Sequence, residues 1–472
     1  MSVKSPLDVA AESPYPAWAM SALSVAAIPA ALAKKPGMPS FFQCAAFSAI
    51  FGGAGYVTNA GDSENGAGIA TDIRYYEEPP SYQHFLKEHL MKNVPALIGP
   101  SLTSNWNARK EWVESVDQHE PDLRLDSPAP TTQPNYEFLN NAFGTAQVQV
   151  ADCLERDFTD QKRGKMTFAD FIGYWKSTES DSASRYYLKD WHFTKAFPSY
   201  HAYDVPYLFE DDWMNEYWPT RKTEDADDYR FVYMGGDKTF TPFHADVYRS
   251  YSWSSNICGV KRWTLFPPGQ EHLFKDRFGN TVYDIRDVDE SKFPRFAEAK
   301  RIVIFQVDGT TLFVPSGWWH QVENIGATIS INHNWGNACN LHIMNESLEN
   351  DLADVRHTIS DVKEMMDSLE YEQTCQHILL VNSGWNWETL WGMLTCIAER
   401  LLQELKGSNL VTYQPPISYS LQVIRQVTEK WRTCKEKRRV FEAAENQDIE
   451  TLNRVLEIAQ EQLESSSRDT LN

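Results

Sequence analysis

Paired cysteines, a basic charge balance, long apolar runs and internal repeats are all missing from this chain of 472 residues. Its 7 cysteines, Cys44, Cys153, Cys258, Cys339, Cys375, Cys396 and Cys434, are odd in number and include no Cys-x-x-Cys pair. Neither a disulfide framework nor a structural zinc module is built from such a set. Reduced thiols in the cytoplasm, or in the nucleus as well, are the expectation. Lys plus Arg number 44 against 65 Asp plus Glu, a formal charge of −21. That balance disfavours direct binding to a nucleic-acid backbone and suits a basic protein partner. No repeat of roughly 20–50 residues stands out.

The chain is long enough for two or three domains. Residues 1–75 differ in composition from the rest. Two small-residue apolar stretches, 18–33 and 41–57, flank Lys34-Lys35-Pro36-Gly37, and a Gly/Asn/Ser-rich linker runs from 58 to about 70. Each stretch falls short of the roughly 20 apolar residues of a spanning helix. Membrane contact through residues 18–57 and an appended segment unrelated to the remainder both stay open. A secretory signal fits poorly, because Asp8 and Glu12 stand where a basic start is expected.

A folded domain is expected over 76–345 and a helical region over 346–472. Tyr82 to Met91 reads as a helix, followed by the short strand Pro95 to Ile98, with Trp106 and Trp112 packed beneath. A Pro-rich loop covers 127–134, and a helix opens at Thr167 with Asp170 three positions on, close to a capping box. Between Arg230 and Asn334 short β-rich runs dominate. Ile302 to Val307 and Thr310 to Val314 predict a hairpin across Asp308-Gly309. Beyond about Leu341, apolar residues at three and four spacings predict a bundle with helices near 346–369, 388–405, 418–435 and 439–463.

His244 and Asp246 stand two apart in Thr241-Pro-Phe-His-Ala-Asp-Val-Tyr248, and His320 closes Pro315-Ser-Gly-Trp-Trp-His320. On one extended strand, residues i and i+2 share a face, so the first pair can hold one cation without bending the backbone. Two histidines and one carboxylate form the ligand pattern of non-heme Fe(II) oxygenases, which leaves coordination positions open. An isolated His-x-Asp is usually only a hydrogen-bonded pair, and here the surroundings decide.

Those surroundings are Arg230-Phe-Val-Tyr-Met-Gly-Gly236, Asn256-Ile-Cys-Gly-Val-Lys-Arg-Trp-Thr-Leu-Phe-Pro-Pro268 and Asp308 to Asn324. Together with the ligand motif they resemble the JmjC family of 2-oxoglutarate-dependent oxygenases. The resemblance implies a mainly β fold with α: a double-stranded β-helix, or cupin-type jelly roll, with flanking helices. It implies Fe(II) held by His244, Asp246 and His320, with 2-oxoglutarate as co-substrate and O2 as oxidant. The co-substrate decarboxylates to succinate while an unactivated C–H is oxidised. Lys261, seventeen residues after His244, falls where the family places the lysine that pairs with the distal carboxylate, and Thr241 matches its hydroxyl partner. Tyr187 looks like the tyrosine that bonds the same carboxylate, although Tyr186 adjoins it. The family's asparagine in the strand after His-x-Asp falls on Ser254; Asn256 shares that face and is taken as the contact. Asn332 and Asn334 match positions lining the co-substrate pocket.

The bland reading holds for other conspicuous residues. His333 alternates away from the pocket, and Trp318 and Trp319 are packing that orients His320. The acidic runs Glu210-Asp-Asp212 and Glu224-Asp-Ala-Asp-Asp228 are solvated loops, or else attract a lysine-bearing substrate. Within the family the likeness is to the jumonji domain-containing protein 4 type, through Tyr187-Leu-Lys-Asp-Trp-His192, Asp212-Trp-Met-Asn-Glu-Tyr-Trp218 and Phe243-His-Ala-Asp-Val247. That type implies lysyl C-hydroxylation of a translation termination factor. Two rivals stand beside it: a demethylase of methylated histone lysine, disfavoured by the missing zinc modules, and a cupin-fold binding protein that has lost turnover.

Overall fold

A computed structural model describes residues 73–116, 131–178, 184–221, 227–407, 413–443 and 449–469. The apolar stretches at 18–33 and 41–57 and part of the Pro-rich loop lie outside the described residues. In chain order the strands are β1 (Arg74–Tyr76), β2 (Ala96–Ile98), β3 (Val113–Ser115), β4 (Thr132–Pro134), β5 (Gln147–Asp157), β6 (Asp160–Thr167) and β7 (Tyr186–Trp191). They continue with β8 (Arg230–Gly235), β9 (Phe240–His244), β10 (Tyr251–Phe266), β11 (Ile302–Gln306), β12 (Thr311–Val314) and β13 (Trp319–Trp335). Strands β3 and β4 pair apart from the rest; the others form one 11-stranded, mostly antiparallel sheet in the order β1-β2-β12-β10-β13-β8-β7-β5-β6, with β11 on β10 and β9 on β13.

The two long strands at its centre pair with each other and with two further strands each. The first half of β10 (Ser252 to Ser255) pairs with β12, and its second half (Lys261 to Leu265) pairs with β11. The register between β10 and β13 slips twice, between Asn256 and Cys258 and again before Val260. Gly259 makes the bend possible: its φ is 75°, and a Cβ there would stand 2.2 Å from the Ala327 carbonyl oxygen. Bulges of this kind strengthen the local twist and fold a sheet over on itself. The result is the jelly roll expected from the sequence.

Alternation along the strands sorts side chains to its two faces. Tyr251, Trp253, Ile329 and Ile331 face an outer core that they share with Phe85, Trp106, Trp112 and Phe168. Trp263, Leu265, Leu312, Val314 and Val322 form a separate core, and Phe243, Phe266, Phe274 and Trp319 pack under the segment 271–299. Each such side chain, fully buried, contributes roughly 1.5–3 kcal/mol.

The Asp308-Gly309 hairpin does not form. β11 and β12 both pair with β10, one after the other along the same strand, and the residues between them make a jog. The jog is pinned to β10 by Gly309 N–H donating to the Asn256 carbonyl (2.7 Å) and Asn256 N–H donating to the Thr310 carbonyl (2.9 Å). Pairing with a long central strand outweighs the local turn preference of Asp-Gly.

The predicted first helix is Tyr82–Phe85 running into a π-helical turn, Leu86–Leu90, with Tyr82, Phe85, Leu86 and Leu90 buried. Thr132–Pro134 is a strand rather than loop. Two longer helices follow, α1 (Tyr136–Phe143) and α2 (Phe168–Ser177). The Thr167 hydroxyl caps α2 by accepting from Asp170 N–H at 3.1 Å.

The C-terminal bundle is α3 (Leu341–Thr358), α4 (Ser368–Ser383), α5 (Trp387–Lys406), α6 (Ile417–Arg432), α7 (Lys435–Ala443) and α8 (Ile449–Asp469). Among the described residues it contains two more helices than the four stretches expected. The first stretch gives way to a 3-10 segment, Ser360–Met365, α4 falls almost wholly between the first two expected stretches, and the last stretch divides into α7 and α8. Their core includes Leu348, Leu352, Trp387, Leu394 and Trp431, and takes in Trp213, Trp218 and Tyr248 from the β-rich half. The expected solvated acidic run is also buried in part: Asp211 bonds to Arg400 of α5 at 3.0 Å, and Asp212 caps the short helix Trp213–Tyr217.

Candidate active site

β9 and β13 bring the two histidines together, because His244 lies directly opposite His320 in the antiparallel ladder. Their rings stand 4.4 Å apart between centroids. Asp246 lies just past the end of β9 rather than on it, yet its backbone is still extended (φ −56°, ψ 148°). One potential ligand atom each from His244, Asp246 and His320 falls within 4.8 Å of the others.

Second contacts fix each of the three. His244 Nδ1 lies 2.7 Å from the Pro242 carbonyl, and His320 Nδ1 lies 2.9 Å from the Trp318 carbonyl. With Nδ1–H committed to a carbonyl, Nε2 is left as a lone-pair donor. Ser252 Oγ donates to Asp246 Oδ2 at 2.7 Å. Burial, reinforced by His320, pushes His244 down to about 4, so it is neutral near pH 7 and available to a metal.

Thr241 comes to the same face through an irregularity. Val322 sits opposite Thr241 while His320 sits opposite His244, so two residues on β13 match three on β9. Opposed residues project to one side, and the extra residue returns Thr241 to the side of His244. Lys261 pairs with Asn324, two register steps of two from His320, and shares that face as well. It is 2% exposed, donates from Nζ to the Tyr187 hydroxyl at 3.3 Å, and lies 5.6 Å above the Tyr233 ring. Burial, with a contribution from Lys189, holds its ammonium down to about 7. Arg262 points to the other face, 3.8 Å from Glu323. Tyr186 packs at a tilt against Tyr174, outside the pocket, which leaves Tyr187 as the inward tyrosine.

The opposite wall is polar. Ser254 Oγ donates to Asn332 Oδ1 at 3.1 Å, and Asn334 Nδ2 donates to Ser250 Oγ at 3.1 Å. Asn256 departs from expectation. Both its amide hydrogens are taken, by the carbonyls of Gly259 (2.7 Å) and Gln306 (3.2 Å), and only a carbonyl oxygen remains. Such a group cannot donate to a carboxylate, so Asn256 holds the bend of β10 and Ser254 occupies the pocket position. His333 faces the outer core as expected, 2.7 Å from the Tyr203 hydroxyl.

Two pocket residues were not singled out from the sequence. Lys189, 3% exposed, lies two beyond Tyr187 on β7; its Nζ is 3.3 Å from Gln161 Oε1, and its charge is felt at both Lys261 and His244. The Tyr233 hydroxyl donates to Asp190 at 2.6 Å, and Arg163 pairs with the same carboxylate at 2.9 Å. The spacing Tyr187-x-Lys189 was the available signal. A second grouping with metal-binding geometry, His192 with Asp227 and Asp228, is a surface ion pair: His192 Nδ1 is 2.9 Å from Asp228 and 3.1 Å from Asp227, and Lys195 also reaches Asp227.

The cupin-like domain profile matches residues 82–340. The 2-oxoglutarate and iron-dependent oxygenase JMJD4 of Danio rerio is 39% identical over 71% of this chain and 77% of its own length. The chain belongs to the cupin-like JmjC oxygenases. The Homo sapiens protein of the same name is 37% identical, covering 71% of this chain and 78% of its own. The arginine-specific demethylase JMJ20 of Arabidopsis thaliana is 44% identical over 65% of this chain, which spans 65% of that relative. A second profile, altered inheritance of mitochondria protein 19, matches residues 10–72, outside the described residues.

As a JmjC oxygenase the chain uses iron and 2-oxoglutarate, and the residues present fit both. Two neutral imidazoles and one carboxylate make a suitable donor set for Fe(II). Lys261 is a buried cation that forms no ion pair with any carboxylate among the described residues. Ser330 Oγ, a hydroxyl able to donate, is also buried on β13 without a hydrogen-bond partner. A dicarboxylate supplies the counter-charge this pocket lacks.

Proposed function

We propose that this JmjC oxygenase is a protein hydroxylase that adds one oxygen to a lysine carbon of a translation release factor, acting in the cytoplasm and also in the nucleus. The observation that carries the reading is the pocket in which His244, Asp246 and His320 adjoin Lys261, Thr241 and Tyr187. The lysyl target is supported by the likeness of the Tyr187 to His192, Asp212 to Trp218 and Phe243 to Val247 segments to the jumonji domain-containing protein 4 type. A net charge of −21 suits a basic protein surface, and no nucleic acid is assigned as partner.

Fe(II), when bound, couples decarboxylation of 2-oxoglutarate to oxidation of a C–H bond. The chain's own groups do the positioning. Lys261, Thr241 and Tyr187 hold the non-reacting end of the co-substrate, so its oxoacid end is presented to the three ligands in one orientation. Ser254, Asn332 and Asn334 line the opposite wall. Asp190, held by Arg163, in turn fixes the hydroxyl of Tyr233, whose ring covers Lys261.

A second reading is favoured by the 44% identity to an arginine-specific demethylase. The two share machinery and differ in the carbon presented. Oxygen inserted into a lysine methylene stays in the product; oxygen inserted into an N-methyl group leaves with its carbon as formaldehyde. Purified protein incubated with Fe(II), 2-oxoglutarate and either a release factor or methylated arginine peptides tests both. Succinate with one added oxygen on a release-factor lysine is the expected result. Formaldehyde from the methylated peptides, with no oxygen in the release factor, overturns the hydroxylase reading.

A further inference from the structure

The backbone just after Asp246 adopts a conformation that bulky residues avoid. Tyr248 (φ 57°) and Arg249 (φ 51°) are both left-handed and neither is glycine. Consecutive residues of this kind persist only where surrounding contacts over-determine them, and such sites cluster where geometry matters to function.

The contacts that hold this turn come from two directions. The Arg249 guanidinium lies 5.0 Å above the ring of Trp319, the residue before the ligand His320. Tyr248 turns the other way, into the C-terminal helical core. Its ring centroid is 4.3 Å from Trp385 and 5.4 Å from Trp218, stacked on the latter, and its hydroxyl is 2.5 Å from that of Tyr229. Gly384, which ends α4 at φ 77°, fits around the same hydroxyl: a Cβ there would stand 2.7 Å from it. The turn that presents the carboxylate ligand is therefore seated against the connection between α4 and α5, outside the jelly roll.

We propose that Tyr248 is a positioning residue for Asp246, and that through it the C-terminal helices are part of the metal centre. The ring is the anchor. Ser252 orients the Asp246 carboxylate, while Tyr248 and Gly384 hold the backbone that brings the carboxylate to His244 and His320.

Mn(II) titration of the metal-free full-length protein tests this, with thermal melting alongside. Tyr248→Ala should weaken Mn(II) binding by about tenfold or more, the size expected for losing an orienting partner of a ligand. Tyr248→Phe, which keeps the stack, should stay within about threefold of the parent. Once Mn(II) is saturating, 2-oxoglutarate affinity should be unchanged, because Lys261, Thr241 and Tyr187 stand on other strands. Leu394→Ala, buried elsewhere in the same helical core, is the control for a merely structural role. It should lower the melting temperature and leave Mn(II) affinity within about twofold. Parent-like Mn(II) affinity in Tyr248→Ala, or an equal loss in Leu394→Ala, overturns the proposal. Should Tyr248→Ala fail to fold, Gly384→Ala presses on the same ring from the helical side. A loss of about threefold or more supports the proposal, and unchanged affinity refutes it.

Discussion

Lys261→Met should stabilise the free protein while it disables co-substrate binding. The parent lysine is buried against Tyr187 and Tyr233 with Lys189 nearby, and its ammonium is held down from an ordinary 10.5 to about 7. At 1.36 kcal/mol for each tenfold change in proton affinity, that difference comes to on the order of 5 kcal/mol as a ceiling. Below pH 7 the lysine is charged in both folded and unfolded chains, so the folded state bears the full cost of burying it. Between about pH 7 and 10.5 the folded protein sheds this proton first and the cost fades. Methionine has nearly the same volume and no charge, so the gain in melting temperature should be largest near pH 6.5 and shrink towards pH 9.5. The same substitution removes the cation for the distal carboxylate of 2-oxoglutarate, a charged contact of roughly 1.5–3 kcal/mol. Affinity for 2-oxoglutarate should therefore fall about 10- to 150-fold. In the parent, binding should draw a proton onto Lys261 above pH 7, which calorimetry in two buffers of different ionisation enthalpy measures directly. A variant less stable at pH 6.5, or one that binds 2-oxoglutarate as the parent does, refutes the reasoning.

Asp246→Ala should bring succinate formation to background with the fold intact, since Asp246 lies beyond β9 and, among the described residues, Ser252 is its one side-chain hydrogen-bond partner; near-parent turnover in metal-loaded variant would remove it from the ligand set. Ser252→Ala should weaken Fe(II) affinity about tenfold with little change in melting temperature, read by metal titration and thermal unfolding. Arg262→Ala should cost less than about 1 kcal/mol in urea unfolding and leave the KM for 2-oxoglutarate unchanged, because its pairing with Glu323 is on the outer face. Asn256→Ala should do the reverse of what a pocket residue does: lose about 1–3 kcal/mol of stability by stranding the Gly259 and Gln306 carbonyls, with co-substrate KM unaffected.

The metal ligands were legible because their geometry is local. An extended backbone keeps His244 and Asp246 on one side whether or not Asp246 belongs to the strand. Lys261 and Arg262 were separable for the same reason, since adjacent strand residues oppose. Alternation failed at Asn256, where the bend at Gly259 captures the side chain for backbone carbonyls. Alternation does hold at Lys189, where the two-residue step from Tyr187 predicts a shared face. Thr241 was reached only through resemblance, because a bulge, invisible in the residue types, returns position i−3 to the face of His244.

The helical region shows the same division between local and distant causes. The break before α4 had a readable signal: Asp367 caps it, accepting from Leu369 N–H at 2.8 Å and Glu370 N–H at 3.0 Å, and Asp-x-x-Glu is a helix start written in the sequence. No comparable signal marks Tyr248. Left-handed backbone announces itself when the residue is glycine, whereas here a tyrosine is forced into it by Trp218, Trp385, Tyr229 and the space left at Gly384, residues up to 137 positions away. A ligand's identity can thus be read from its neighbours in the chain, while what holds the ligand still is decided by residues that only the fold brings near.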